Sequence, residues 1–361
     1  MSSDRPAPSR RRFLGGALLG GAGAVLGART LLDAPVATAT EHVPGHGGGD
    51  GGGDVGRPAG GHGGGVNGPT FRAGQTVDHA ANGFHPTQIL RDFDAGRVST
   101  TAEGRTVREW DIVATDEDLE IAPGVRFPAW TFNKRIPGPT LRCREGDLLR
   151  VNFTNGSAHP HTMHFHGIHS AEMDGVPMVG RGVISPGESF TYEFNAEPFG
   201  LHLYHCHVGP LAEHIARGMY GTFIVDPPQD RPPADEMIMV MHGYNTTFDG
   251  LGNQLYAVNG IPFHHMHEPV QVRRGELVRI YLVNITEYDP INSFHLHGNF
   301  FDYYPTGTRL EPTEFTDTVV QAQGQRGICE LRFPSPGKYM FHAHKSEFAD
   351  LGWMGFFEVS D

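Results

Sequence analysis

Apolar residues along this chain gather in short, strand-friendly runs broken by Gly and Pro, and the pattern predicts strands throughout, an all-β architecture. The runs also recur. From Thr106 onward the sequence holds an internal repeat of about 130 residues. Leu141–Asn155 matches Val270–Asn284, each reading as a strand, a tight turn at Gly146 or Gly275, and a longer strand. His164-Phe165-His166-Gly167 is then answered by His295-Leu296-His297-Gly298, and His205-Cys206-His207 by His342-Ala343-His344, in the same order. A duplicated β-sandwich explains that order, with one domain over 106–228, a second over 229–361, and the join in the Pro-rich segment Pro227–Pro233. At 361 residues the chain has room for two such cores.

Residues 1–39 predict an export signal. Ser9-Arg10-Arg11-Arg12-Phe13-Leu14 precedes a weakly apolar, Gly- and Ala-rich run from Gly15 to Leu26, and Ala37-Thr38-Ala39 offers a small-residue cleavage site. The segment resembles the twin-arginine signal of bacteria and archaea, which implies a periplasmic, extracellular or cell-envelope protein. The run is short and Gly-rich for a membrane anchor, and no later stretch is apolar enough to span a bilayer in the mature form. Residues 40–70 read as a flexible Gly/His-rich linker, whose His42, His46 and His62 either load a metal ion or belong to a solvated spacer. Residues 71–105 form an N-terminal arm, packed on the body or on a neighbouring subunit.

Composition changes the picture twice. Asp and Glu outnumber Lys and Arg by 41 to 28, with no cationic cluster in the body, which argues against a nucleic-acid partner. The 22 His exceed what core packing needs, whereas 3 Cys are too few for a disulfide framework. On a strand, residues i and i+2 share a face, so each His-x-His unit aims two imidazoles one way. Imidazole suits copper, zinc, iron and nickel, and eight convergent imidazoles without a carboxylate partner are more than one ion uses. Cys206, between His205 and His207, points its sulfur to the opposite face. With His161, His214 and Met219 it makes one thiolate, two imidazoles and a thioether, the ligand set of a blue copper electron-transfer site.

From Trp110 to Val359 the chain resembles the multicopper oxidases, which include laccases and ascorbate oxidase. The resemblance rests on His161-Thr162-Met163-His164-Phe165-His166-Gly167 and on His205-Cys206-His207 followed by His214 and Met219. It implies two cupredoxin-like Greek-key β-sandwich domains and four coppers per chain. The type 1 copper would lie at His161, Cys206, His214 and Met219, and the type 2 copper at His164 and His295. The type 3 pair would take His166, His205, His207, His297, His342 and His344. In the second repeat Asn292 stands where His161 does and Ala343 where Cys206 does, so a type 1 site is expected in the first domain alone. Cys206 to His214 spans eight residues, longer than in laccases and close to copper nitrite reductases.

The pattern is similar to two-domain oxidases whose trinuclear cluster forms between subunits of a homotrimer, a closed heterologous ring. It implies one-electron oxidation of a small reductant (a phenol, an aromatic amine or a metal ion) through an edge of His214 or His161. Electrons then pass from Cys206 through His205 and His207, and dioxygen is reduced to water. Asp174 sits where related oxidases place a proton-relay acid, and reads equally as a turn Asp before Gly175; Glu347, three residues after His344, is a second candidate.

Two rival readings stand beside this one. Copper nitrite reductase shares the two domains, the trimer and the blue site, but needs three histidines at its second copper and an Asp where His164 stands. A non-catalytic copper buffer or electron carrier accounts for many histidines or for Cys206, not for the paired placement. Cys143 and Cys329 read as buried free thiols. His264, His265, Met266 and His267 either hold an extra metal ion or line an ordinary exposed loop. Met173 and Met178 are too few to imply a cuprous site.

Overall fold

The computed structural model describes residues 76–361, all within one compact unit. The expected export signal, the linker with His42, His46 and His62, and the first residues of the arm lie outside the described residues. No helix among the described residues is long and apolar enough to cross a membrane.

The expected all-β architecture is present as two successive β-sandwiches. In the first, one sheet runs Phe93–Asp94, Thr140–Arg144, Tyr220–Asp226, Gly200–His205, His164–Phe165. The facing sheet runs Arg97–Thr100, Thr106–Ala122, Leu148–Asn155, Ser189–Asn195, with Val125–Phe132 paired on the long strand. In the second sandwich the sheets are Leu255–Val258, Asp235–Tyr244, Val278–Asn284, Arg326–Leu331, Phe301–Pro305, Glu314–Thr316, and Val270–Arg273, Met354–Ser360, Gly337–His342, Ile291–Leu296, Thr318–Ala322. The repeated strand–turn–strand units lie where the sequence pattern sets them. Leu149, Val151 and Phe153 point into the first core while their neighbours stay half exposed, the period-2 signature of a one-sided strand.

A third core joins the sandwiches: Leu201, Leu203 and Tyr220 of the first meet Ile238, Val240 and Tyr281 of the second. Strand Gly200–His205 therefore serves two cores at once. Leu201 and Leu203 face the inter-domain core, while Tyr204 faces the interior of its own sandwich. Continuing that alternation puts Cys206 inside the sandwich and the rings of His205 and His207 on the other side. Cys143 and Cys329 are buried free thiols in separate cores.

The described part of the arm packs on its own chain. Phe93–Asp94 adds a parallel strand beside Thr140–Arg144, and Arg97–Thr100 pairs with Thr106–Ala122. Arg91 grips Asp235 with two hydrogen bonds of 2.9 and 2.8 Å, and Leu90 is buried in the core of the second sandwich.

Candidate metal centres

Inside the first sandwich His161, Cys206 and His214 converge, all fully or almost fully buried. Nδ1 of His161 and of His214 stand 3.6 and 3.3 Å from Cys206 Sγ and 3.2 Å from each other. Ser157 donates its hydroxyl to Asp116 Oδ1 at 2.7 Å, so its oxygen accepts from His161 Nε2 at 3.0 Å. That fixes the tautomer and leaves the His161 Nδ1 lone pair facing the sulfur. His214 comes from helix Leu211–Ala216, and Met219 lies buried just beyond it, its carbonyl accepting the Cys206 N–H at 3.0 Å. Burial pushes the Cys206 thiol up to about 11, and pushes His161 down to about 3 and His214 to about 4. Neutral imidazoles and a dry thiol converging on one point fit a copper ion, not a hard oxygen-seeking cation.

On the opposite side of the same strand end lies a histidine quartet, and the second repeat carries its counterpart. His164 sits 5.2 Å, centroid to centroid, from both His205 and His207; His295 sits 5.3 and 5.1 Å from His342 and His344. His166 Nε2 meets His205 Nε2 at 2.9 Å, and His297 Nε2 meets His342 Nε2 at 3.0 Å. His205 Nδ1 donates to the Cys206 carbonyl at 2.8 Å and His342 Nδ1 to the Ala343 carbonyl at 2.7 Å, so each ring presents Nε2 to its partner. Burial holds His166 down to about 3 and His205 to about 4, keeping both rings neutral and able to ligate. Each quartet is built within one repeat, and no ligating group among the described residues mixes the two.

The two proton-relay candidates fall in different places. Asp174 lies at the first quartet: its carboxylate is 2.9 Å and its carbonyl 2.7 Å from His164 Nδ1. Gly175, at φ +69°, lets the chain press there; a Cβ would stand 1.9 Å from the Met163 carbonyl oxygen. Glu347 pairs instead with Lys345 at 3.5 Å and is about half exposed. Several neighbours escaped the sequence reading. His169 joins His164 and Asp174 in one potential ligand group. His295 Nδ1 meets Thr318 Oγ1 at 2.7 Å and the Asp317 carbonyl at 3.1 Å, much as Asp174 backs His164. Thr162 and Ser293 accept the His207 and His344 backbone N–H groups at 3.1 and 2.8 Å. Thr162 and Ser293 each follow the His161 or Asn292 position, a signal the aligned repeats contained; Asp317 has none, being 22 residues beyond His295 where Asp174 is 10 beyond His164.

A cleft of about 740 Å³ opens over His214, lined also by Trp130, Glu117, Asp118, Glu213 and Arg217. Trp130 packs edge-on against His214 with centroids 4.7 Å apart, and Arg217 stacks over Trp130 at 4.6 Å. His161 does not line this cleft. Of the two expected routes to the Cys206 pocket, His214 is the one with a solvent-facing approach. Met178 is 95% exposed, whereas Met173 packs beside the first core. His264 and His265 are buried on helix His264–His267, contrary to the exposed-loop alternative, because that segment is wedged against strand Met354–Ser360 and the arm.

Comparison with known proteins gives one family. The multicopper oxidase family matches residues 114–230 and again 230–361. A crystal structure of a multicopper oxidase superposes with TM-score 0.78 at 67% identity, covering 79% of this chain and all of that one. The blue copper oxidase of Nitrosomonas europaea superposes with TM-score 0.65 at 30% identity, covering 70% of this chain and 86% of the other. The copper-containing nitrite reductase of Neisseria meningitidis serogroup A is 30% identical over 249 residues, 63% of either chain. This chain thus spans somewhat less than two thirds of the length of that curated relative.

Proposed function

The chain belongs to the multicopper oxidase family, and from that premise we propose that it oxidises small reductants one electron at a time and reduces dioxygen to water. What carries the reading is one strand end: a buried Cys206–His161–His214 pocket on one side and the His164, His166, His205, His207 quartet on the other. Four coppers per chain, a type 1 ion at His161, Cys206, His214 and Met219 and a type 2 and type 3 set at the two quartets, supply the redox chemistry when bound. Around them the residues divide the work. His205, Cys206 and His207 are consecutive, so the pocket and the quartet are joined by a few covalent bonds. Trp130 and His214 offer the reductant an aromatic wall, and the acids of the cleft favour neutral or cationic donors such as aromatic amines over anions. Asp174 sets its carboxylate 2.9 Å from His164 Nδ1 and, being partly exposed, is placed to pass protons between water and the quartet.

The second quartet is half open to solvent, and it sits beside exposed Ile291 and Val320 and the stacked pair Phe300 and Phe315, centroids 5.3 Å apart. Val320 lies on Thr318–Ala322, the edge strand of its sheet. An apolar sheet edge next to a half-built ligand set supports a homotrimer in which the first quartet of one copy meets the second quartet of the next. The twin-arginine pattern supports export of the folded protein.

The Neisseria relative supports nitrite reduction as a second reading; the eight cluster histidines and the His164–Asp174 contact favour dioxygen. The deciding experiment measures copper per chain, electron paramagnetic resonance, and consumption of dioxygen and of nitrite with one aromatic amine as donor. Four coppers, one blue and two spin-silent, with dioxygen uptake and no nitric oxide are expected. Two coppers, both visible, with nitrite turnover would transfer the protein to the other reading.

A further inference from the structure

Away from both quartets, a third histidine cluster joins the arm to the second sandwich. His79 opens the first short helix of the arm, His79–Asn82, His85 caps the second, Pro86–Ile89, His264 lies on helix His264–His267, and each ring offers one nitrogen within 4.8 Å of the others'. The ring centroids are 4.2, 4.9 and 5.2 Å apart. Glu268 borders the cluster, its Oε2 lying 3.6 Å from His85 Nε2 and 3.7 Å from His264 Nε2.

The hydrogen bonds leave this cluster incomplete. Thr87 donates its hydroxyl to Glu268 at 3.2 Å, so its oxygen accepts from His264 Nε2 at 2.8 Å. His264 must then carry a bare lone pair at Nδ1, and that nitrogen is buried with no partner on a ring only 1% exposed. His79 Nδ1 is buried and unpartnered as well, its Nε2 meeting Thr76 at 3.4 Å. His85 Nδ1 accepts the Thr87 backbone N–H only at 3.3 Å, so an ion at its Nε2, beside Glu268, would shift the ring proton to Nδ1 and displace that long contact. Two orphaned imidazole nitrogens in one cluster keep an uncompensated desolvation penalty if nothing meets them.

We propose that His79, His85 and His264, with Glu268 completing the set, form a structural site for one divalent, imidazole-preferring ion, zinc or cupric, that pins the arm to the second sandwich. Three imidazoles and a carboxylate satisfy a four-coordinate ion, and leave no position for substrate. The ligands span residues 79 to 268, so the ion closes a long loop of chain. The site is independent of the oxidase reading.

The test adds Zn²⁺ to the full-length, copper-loaded protein, removes free ion by gel filtration, and counts bound zinc by mass spectrometry. Wild type should retain one zinc per chain; His264→Gln, and separately the His79→Gln/His85→Gln pair on the more accessible arm, should retain less than a tenth of that. The blue absorption of the Cys206 pocket should be equal in all three, showing that the variants are folded. If a second, copper-loading arm, with Cu²⁺ in excess and no zinc, shows wild type holding one copper more than either variant, the same site is identified with copper as its ion. Wild type that binds no ion in either arm, or variants that bind as much as wild type, would overturn the proposal.

Discussion

The two sandwiches offer the same cavity built in two ways. In the first, His161, Cys206, His214 and Met219 line it; in the second, Asn292, Ala343, Phe348 and Trp353 stand at the corresponding places. The correspondence is structural. Cys206 N–H donates to the Met219 carbonyl at 3.0 Å and Ala343 N–H to that of Trp353 at 3.1 Å. Met219 N–H reaches back to the carbonyl of His214, and Trp353 N–H to that of Phe348, five residues earlier in both. Even the outer contact persists: His161 meets Ser157 and Asn292 meets Thr286, each at 3.0 Å. Trp353 fills the volume and donates its indole N–H to Asn292 at 3.1 Å. One backbone frame thus supports either converging donors, whose polar atoms await an ion, or an apolar plug that satisfies itself.

The comparison breaks hardest at Cys206. Cys206→Ser should abolish the blue absorption and all turnover, whereas Ala343→Cys should create no second blue centre, because Phe348 and Trp353 occupy its ligand positions. A new visible band in Ala343→Cys would sink the plug interpretation. Next in size, Asp174→Asn should lower dioxygen turnover by about 10²-fold or more, while anaerobic bleaching of the blue band by a reductant keeps its rate. Equal losses in both assays would make Asp174 merely structural. Trp353→Ala should cost the protein about 3–5 kcal/mol through the cavity it leaves, read as a lower urea midpoint. Met219→Leu should leave that midpoint nearly unchanged and shift the potential of the blue site.

The smallest effect sharpens the contrast through pH. In the metal-free protein the Cys206 thiol, pushed up to about 11 by burial, keeps its proton at neutral pH, while His161 and His214 are already neutral. The metal-free state therefore binds one more proton than the loaded state, and rising pH favours loading. Copper affinity of the blue site should climb about tenfold per pH unit through the neutral range. A flat or falling profile in competition titrations would show that the thiol is not the proton released.

Much of this is legible in the sequence. Strand-friendly apolar runs and Gly/Pro breaks foretold the strands, and the repeat exposed the duplicated sandwich. The alternation of His205, Cys206 and His207 along one strand already placed sulfur and imidazoles on opposite faces, since strand geometry allows nothing else. The absence of a converging Cys–His set from the second sandwich was written in Asn292 and Ala343. Only the folded chain, however, paired Met219 with Trp353 and His214 with Phe348, because a three-residue shorter connection hides that match from alignment. Only the fold brought Asp174 to His164, left Glu347 with Lys345, and gathered His79, His85 and His264 from segments about 180 residues apart. Local spacing determines which side chains share a face; which faces then meet is decided by how the sheets pack.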